Sequence, residues 1–256
     1  MNQLPRISIV TPSFNQGKYL EETIKSIIDQ NYPNLEYIVM DGGSSDNSLE
    51  ILKKYQNYLT YWESHPDNGQ ADAIHRGFTH ATGDILCYIN SDDYFLPGAL
   101  WEIARTYIDN PSLKWISGEG IVVNETGEFI RKRKYPFVCY ETMLYFENCI
   151  FQPAAFWRRD FYFQIGGIDT MLKFSFDYDL FMRFTLVEKP IMVHKEIAAF
   201  RVHARSKTST ISDIGLQEHM LIRDRYLPKE TNKIKDLFLL LIGKGYRKIS
   251  FLFNYL

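Results

Sequence analysis

The chain has 256 residues, 45% hydrophobic and 23% charged, the balance of an ordinary globular protein with room for a sizeable core. A formal net charge of -2 excludes a general electrostatic preference for nucleic acid, so any anion must be met by local features. Three cysteines (Cys87, Cys139, Cys149) without CxxC spacing argue against a disulfide framework or a cysteine zinc site and fit a reducing compartment.

Met1 to Arg6 leads directly into strand-like sequence without the apolar stretch of a signal peptide, and no apolar run approaches the ~18 residues needed to span a bilayer. A cytoplasmic protein is expected. Ile7 to Thr11 is a β-branched run ended by Pro12 and reads as a buried strand. Tyr19 to Gln30 carries Leu20, Ile24, Ile27 and Ile28 at helical spacing. Leu35 to Met40 is a second strand, stopped at Asp41-Gly42-Gly43, and Ser44, Ser45 and Asp46 offer N-caps for a helix through Ile51 and Leu52. A short strand at Leu59 to Trp62 and a helix at Ala71 to Ala81 follow, the latter ended by Gly83. Ile85 to Ile89 is a strand that stops at Asn90. Gly98 to Ile108 is a helix and Leu113 to Ile116 a strand. Gly118 to Lys134 alternates like a hairpin turning at Glu125-Thr126-Gly127. Tyr135 to Phe151 is aromatic and ambiguous. Phe174 to Leu186 reads as a helix, and Ile191 to Arg201 as a strand ending near His203.

Strands alternating with helices predict a mainly parallel α/β sheet, in which ligands bind beyond the carboxyl ends of the strands. Ser13-Phe14-Asn15, Asp41-Gly42-Gly43 and Asn90-Ser91-Asp92-Asp93 each follow a strand directly. Adjacent carboxylates at Asp92 and Asp93 repel unless a hard divalent cation neutralises them; a turn with a helix N-cap is the plainer account of the tetrapeptide alone. Asp41 can accept hydrogen bonds from a base or ribose, whereas Asp46 reads as a cap. The loop His65 to Asp72, with Asn68 and Asp72, opens a helix containing Arg76, a phosphate-favouring arrangement or an ordinary solvated loop. His75 and His80 read as surface or packing residues. Asp177 and Asp179 lie two apart, so on a helix they face different directions. One can face a cleft as a general base while the other caps the helix or pairs with Arg183. Arg201, Arg205 and Lys207 surround His203 in a loop placed to close over a diphosphate. Gln152, Trp157 and Arg158 are candidates for shaping an acceptor side.

Taken in order, Ile9-Val10-Thr11-Pro12-Ser13-Phe14-Asn15, Val39-Met40-Asp41-Gly42-Gly43-Ser44-Ser45-Asp46, Gly83-Asp84 through Asp92-Asp93, Pro97-Gly98-Ala99-Leu100, Gly166-Gly167-Ile168-Asp169 and Phe176-Asp177-Tyr178-Asp179-Leu180 resemble glycosyltransferase family two, inverting enzymes of GT-A fold. Each motif is weak alone and the ordered set is specific; it covers the chain from about Pro5 to about His203. The resemblance implies a Rossmann-like, mainly parallel central sheet flanked by helices. It also implies a nucleoside-diphosphate sugar donor with uridine the usual base, a glycan or lipid-linked acceptor, surface polysaccharide synthesis, and Mn2+ or Mg2+. Pro12, Phe14 and Asn15 would line the nucleotide pocket and Asp41 would bind the base. Asn90, with Ser91 beside it, and Asp92 would occupy the family's D-x-D motif, Asp92 as metal ligand with His203 and Asp93 as further candidates. Asn68, Asp72 and Arg76 belong to the expected donor-binding set, and Asp177 would be the general base. The sequence departs from the pattern at Asn90, where the family has Asp, and at Phe176, where it often has Glu.

A GT-A domain over 1–225 with a basic amphipathic helical tail over 226–256 is expected. The tail, with Lys233, Lys235, Lys244, Arg247 and Lys248 among Leu237, Phe238, Leu241, Ile242, Phe251, Leu252 and Phe253, suits contact with the inner membrane surface. The alternative is a terminal helix packed on the domain or on another subunit, making an oligomer. A dehydrogenase would carry GxGxxG after the first strand and a nucleotidyltransferase a basic glycine-rich loop; Thr11 to Gly17 has neither. The alternatives are a non-catalytic nucleotide-sugar-binding protein of the same fold and a nucleotidyltransferase, the nearest rival.

Overall fold

The computed structural model describes residues 4–135, 138–146 and 148–228; the expected tail beyond 228 lies outside them. The β-branched run at the start continues through Pro12 to form β1 (Ile7–Ser13), buried along its whole length. Helix α1 (Gly17–Ile28) turns Tyr19, Leu20, Ile24 and Ile27 inward, the face its spacing predicts. Then come β2 (Leu35–Asp41), α2 (Ser48–Tyr55), β3 (Tyr61–Ser64), two residues later than its sequence pattern suggests, and α3 (Gln70–His80). The first half closes with β4 (Ile85–Tyr88), the two-residue β5 (Tyr94–Phe95) and α4 (Ala99–Asp109). In the second half a hairpin of β6 (Trp115–Val123) and β7 (Phe129–Arg133) precedes α5 (Tyr140–Tyr145), β8 (Ala155–Arg158) and α6 (Arg159–Gln164). Helix α7 (Phe176–Val187), β9 (Ile191–Arg201), the short α8 (Lys207–Thr210) and α9 (Ser212–Tyr226) complete the described chain.

One sheet holds all these strands in the order β3-β2-β1-β4-β8-β6-β9-β5, with β7 added on β6. It is mixed: six strands point the same way, and β5, β7 and β8 run against them. β1 pairs parallel with β2 and β4, β2 with β3, and β6 with β9. β8 runs against both β4 and β6, β5 against β9 and β7 against β6. The two reversals at β8 cancel, so β6 and β9 point the same way as β1 to β4. The carboxyl ends of six strands therefore meet at one edge.

A strand has two hydrogen-bonding edges. Along Ile116 to Val123 one edge of β6 is taken by β9. The other is shared in succession: β8 pairs with Trp115–Ser117, and β7 with Gly120–Val123. β8 thus wedges between β4 and β6 only over their first residues, and above it the sheet forks. The 3-10 turn Gln152–Ala154 floors the fork, tied to β4 by Gln152 Nε2 donating to the Tyr88 carbonyl at 2.9 Å. Gly120 makes the packing there feasible, since a Cβ would sit 2.0 Å from Phe151 Cε1.

The core lies on both faces of the sheet. On one face Gly77 lets α3 settle on β1, where a Cβ would come within 2.5 Å of Val10 Cγ1. Helix α7 buries Phe176, Tyr178, Leu180, Phe181, Met182 and Phe184, apolar almost all round as a helix inside a domain should be. Phe181 and Phe184 pack on Trp115 and Trp157 in the half of the sheet built by β6 and β8.

Candidate active site

The loops at the common edge are bound to one another by short polar side chains. Asn15, exposed and with a left-handed φ of 52°, receives the Ser45 backbone N–H on Oδ1 at 2.8 Å, and its own N–H donates to Ser44 Oγ at 2.8 Å. Asp41 stands at the end of β2 but is 2% exposed. Its oxygens accept Ser44 N (2.9 Å), Ser44 Oγ (2.5 Å) and Ser64 Oγ (2.6 Å). Its carboxylate is thus turned into the loop and shapes the edge from beneath. Asp46 receives the N–H groups that open both α1 and α2, from Gly17 at 2.8 Å and Ser48 at 3.0 Å, the capping role its sequence position suggests. Pro12 is buried within β1, whereas Phe14 is 61% exposed at the rim, a free aromatic face beside the edge.

At the end of β4 the turn Asn90 to Asp93 is held from behind by α1: Thr23 Oγ1 donates to the carbonyls of Ser91 at 2.9 Å and Asp93 at 2.6 Å. Ser91 is buried. The two carboxylates part company. Asp93 is 0% exposed, with Oδ1 accepting the Arg201 N–H at 2.8 Å and Oδ2 the Asn90 amide at 3.2 Å. Burial first, and the neighbouring Asp92 charge second, push its carboxyl well above the usual range. It is a buried brace between β4 and β9, which corrects its expected place as a metal candidate. Asp92 faces the open side, and its Oδ2 lies 2.9 Å from Nε2 of His203, delivered by the end of β9. The His203 ring packs on Tyr19 and its Nδ1 is buried with no hydrogen-bond partner. A carboxylate and an imidazole converging in this way offer hard and borderline donors to one divalent ion, with the remaining positions left for water and phosphate. The described residues hold no cluster of three or more such side chains, so the protein supplies at most part of a coordination shell here.

Next to this pair the fork above β8 encloses a cavity of about 390 Å³. Asp177 enters it from the first turn of α7, along with Asn90, Gln70, Asn148, Gln152 and Lys207. Burial pushes the Asp177 carboxyl up to about 6, against the Tyr178 N–H bond (2.8 Å), the Lys207 charge and the Asn148 amide (3.4 Å), which all hold it down. A carboxylate poised near neutrality in a cleft has the acidity of a general base. Lys207 shows the converse. Burial lowers its ammonium to about 8 although Asp177 and Glu218 favour its charge. It donates to Gln70 Oε1 at 2.7 Å, and Gln70 Nε2 donates in turn to Asn90 Oδ1 at 2.6 Å. The chain Lys207–Gln70–Asn90 thus joins the cavity to the turn that carries Asp92. Asn90 accepts from the Gln70 amide on one side and donates to the Asp93 carboxyl on the other, a pairing that an Asp, with no N–H to give, would not reproduce.

The helix puts Asp177 and Asp179 in different surroundings. Asp179, 1% exposed, accepts Arg183 Nε at 2.9 Å on one oxygen and Arg225 Nη1 and Tyr226 Oη, both at 3.1 Å, on the other. It ties α7 to α9. Glu218 of α9 accepts the N–H groups of Lys173 (2.7 Å), Phe174 and Ser175 (both 2.8 Å), fixing the segment that aims Asp177. Phe176, where the family often has Glu, is buried under Lys207, whose Nζ is 5.1 Å from the ring centre.

Other expected residues are not brought to the cavity. Arg76 pairs with Glu63 and, at 4.0 Å, with Asp72, so its charge is spent on the protein. Asp72 accepts the Asn68 N–H at 3.2 Å, closing the loop ahead of α3. His75 meets Tyr162 Oη at 3.3 Å and His80 stacks on Tyr61, the packing roles expected. Trp157 is fully buried in the core, and Arg158 lies at the opposite edge of the sheet, in a 690 Å³ groove with Arg6, Asn34 and Asp84. That groove is larger, yet it lies at the amino ends of β1, β2 and β4, which Arg6, Asn34 and Asp84 precede, and not at their carboxyl ends. Asn148, Arg131 and Arg133 line the cavity that holds Asp177 without having stood out in the sequence, and Gln70 stood there only as part of the polar loop His65 to Asp72. The two arginines carried a signal all the same, being alternate residues of the expected hairpin and so on one face.

The geometry has counterparts. Residues 8–174 match the model of the family described as Glycosyl transferase family 2. An uncharacterized glycosyltransferase of Mycobacterium tuberculosis is 29% identical over 210 residues, 78% of this chain and 76% of its own length. Hyaluronan synthase of Pasteurella multocida is 26% identical over 239 residues, 90% of this chain but 24% of that much longer protein. Among solved structures, residues 1-349 of S. aureus TarS in complex with UDP-GlcNAc superpose with a TM-score of 0.68 at 19% identity, covering 92% of this chain and 70% of that one. A mannosyltransferase from Pyrobaculum calidifontis in complex with GDP-Man and Mn2+ gives 0.67 at 17% identity, covering 96% and 70%. These structures share the GT-A fold. With 167 of its 256 residues matched by the family (8–174) and its strand ends assembled in the corresponding fold, this chain belongs to glycosyl transferase family 2.

Proposed function

We propose that the protein transfers a glycosyl unit from a nucleoside-diphosphate sugar, UDP-linked in the first instance, to a hydroxyl of a glycan or lipid-linked acceptor, with inversion at the anomeric carbon. The observation that carries this reading is the position of Asp177: a carboxyl near pKa 6 in the same cavity as Asn90, two residues from the Asp92–His203 pair. Nucleotide sugars occupy the superposed structures named above, and one of them also holds Mn2+. Relatives named for polysaccharide synthesis point the same way.

In this reading the base and ribose lie against the stitched loops after β1 and β2, with Phe14 at the rim. Asp92 and His203 would hold Mn2+ or Mg2+, which supplies charge neutralisation for the leaving diphosphate. The two side chains meet each other at 2.9 Å, so they already converge on one point. Asp177 takes the proton of the acceptor hydroxyl as its oxygen forms the new bond to the anomeric carbon and the bond to the diphosphate oxygen breaks. The Lys207–Gln70–Asn90 chain keeps the turn and the cavity in register while this occurs.

The test is donor turnover with Mn2+ present, the product anomer being read by NMR. General-base removal in Asp177→Asn should cost roughly 10²–10⁴-fold in turnover while UDP binding persists. Near-normal turnover in that variant, or retention of the donor's configuration, would refute the reading.

A further inference from the structure

Two guanidinium groups in the forked cavity have no task in the reaction just described. β7 presents Arg131 and Arg133 to the cavity that holds Asp177, and both are half-buried. They are alternate residues of a strand, so their side chains leave the same face, roughly 7 Å apart along it. Lys132, between them, points away and pairs with Glu196 at 2.7 Å. Neither arginine has a carboxylate partner among the described residues. Arg133 instead lies over the ring of Tyr135, 4.9 Å from its centre, which holds the fork in place without consuming its hydrogen bonds. With Lys207 the described residues of the cavity wall include three cationic side chains and one carboxylate, Asp177. Unpaired arginines facing a semi-enclosed cavity leave planar donor forks matched to carboxylate or phosphate oxygens.

The arginines stand apart from the nucleotide edge. Their register partners are Val122 for Arg131 and Gly120 for Arg133, so the row runs down the fork, away from the strand ends where Asp92 and His203 sit. The position across the cavity from Asp177 is where an acceptor must lie for its hydroxyl to reach that carboxylate.

We propose that the acceptor is anionic, a glycan or polyol chain bearing carboxylate or phosphodiester groups, and that Arg131 and Arg133 read that charge beside the reacting hydroxyl. This rests on Asp177 being the base. Specificity arises because a neutral chain would leave two half-buried guanidiniums without partners, whereas an anionic one satisfies them.

The experiment measures binding to the full chain, saturated with UDP and Mn2+, of three probes of matched length: a uronate-containing tetrasaccharide, an oligo(glycerol phosphate), and a neutral tetrasaccharide. One anionic probe should bind at least tenfold more tightly than the neutral one, and which of them does so identifies the anion as carboxylate or phosphodiester. Arg131→Gln with Arg133→Gln should weaken that probe on the order of tenfold or more, with UDP affinity held within about twofold. Should the double variant fold poorly by circular dichroism, Arg131→Gln alone, which leaves the Arg133–Tyr135 stack intact, serves for the same comparison. Equal binding of the neutral probe, or anionic binding indifferent to the substitutions, would overturn the proposal. So would a parallel loss of UDP affinity, which would assign the arginines to the donor. None of these outcomes bears on the Asp177→Asn result, which tests the transfer reaction by itself.

Discussion

His203 Nε2 and Asp92 Oδ2 stand 2.9 Å apart although 111 residues separate them in sequence. The contact exists because two reversals at β8 bring β9 back into the direction of β4, so the residues after both strands arrive at one edge. Asp92→Asn and His203→Ala should each lower UDP affinity in the presence of Mn2+ by on the order of tenfold, as loss of one ligand does, while leaving the affinity in EDTA unchanged. Isothermal titration under the two conditions separates this from a general defect in nucleotide binding, which would appear in both.

The pH dependence follows from Asp177. A base with a pKa of about 6 makes kcat/KM rise with pH through about 6 and level above it. Its effect on stability has the opposite sense. The folded pKa lies above the ordinary 3.8, so between about pH 4 and 6 the native state binds more protons than the unfolded chain, and stability falls as pH rises through that window. Asp177→Asn removes this cost. Above pH 6 it should be more stable than the parent by on the order of 1–3 kcal/mol, although inactive. Urea denaturation at pH 4 and pH 7.5 reads the difference directly.

Lys207 contributes the second limb. With its ammonium lowered to about 8, it loses its charge near that pH, and with it the firm donor that holds Gln70 against Asn90. Activity should decline above about pH 8. Lys207→Arg, whose charge does not titrate in this range, should shift the decline upward. An unchanged alkaline limb in that variant would remove Lys207 as its origin.

Asp179 should behave as a structural residue. Asp179→Ala strands Arg183 beside a buried position and cuts the tie to Arg225 and Tyr226, so destabilisation of about 3–5 kcal/mol is expected, the range for a buried pair broken on one side. The measurement is the denaturation midpoint. At low temperature, where the variant remains folded, the acidic limb near pH 6 should persist because Asp177 is retained.

The strands that a sequence reader finds here are those with β-branched cores. β1, β2 and β4 are buried runs bounded by Pro or Gly, and β9 is long enough to announce itself. β8 is four residues, Ala-Phe-Trp-Arg, and β5 two, too short to show a period. Without β8 the mainly parallel sheet was legible, but the reversal between β4 and β6 and the fork above it were not. Helix α9 buries little beyond Gly215 and Ile222, so it lacks the apolar stripe that marks a packed helix. At the site, features that depend on backbone position were legible: Asp46 as cap, and the divergence of Asp177 and Asp179, one facing a cleft and the other paired with Arg183. Residues whose role depends on partners remote in sequence were not. Asp93 is claimed by Arg201 across 108 residues, Asp41 by Ser64, and Arg76 by Glu63, and no local pattern announces such pairings.

The fork above β8 also separates two kinds of inheritance. The edge at the strand ends is assembled from several mutually bonded loops, so a change in one disturbs the others. β7, by contrast, hydrogen-bonds to β6 and to no other strand, and lends the cavity the outward side chains of a hairpin. Its alternate residues can be replaced without disturbing any other ladder of the sheet. A lineage that kept its donor and changed its acceptor would find its shortest evolutionary path along that strand.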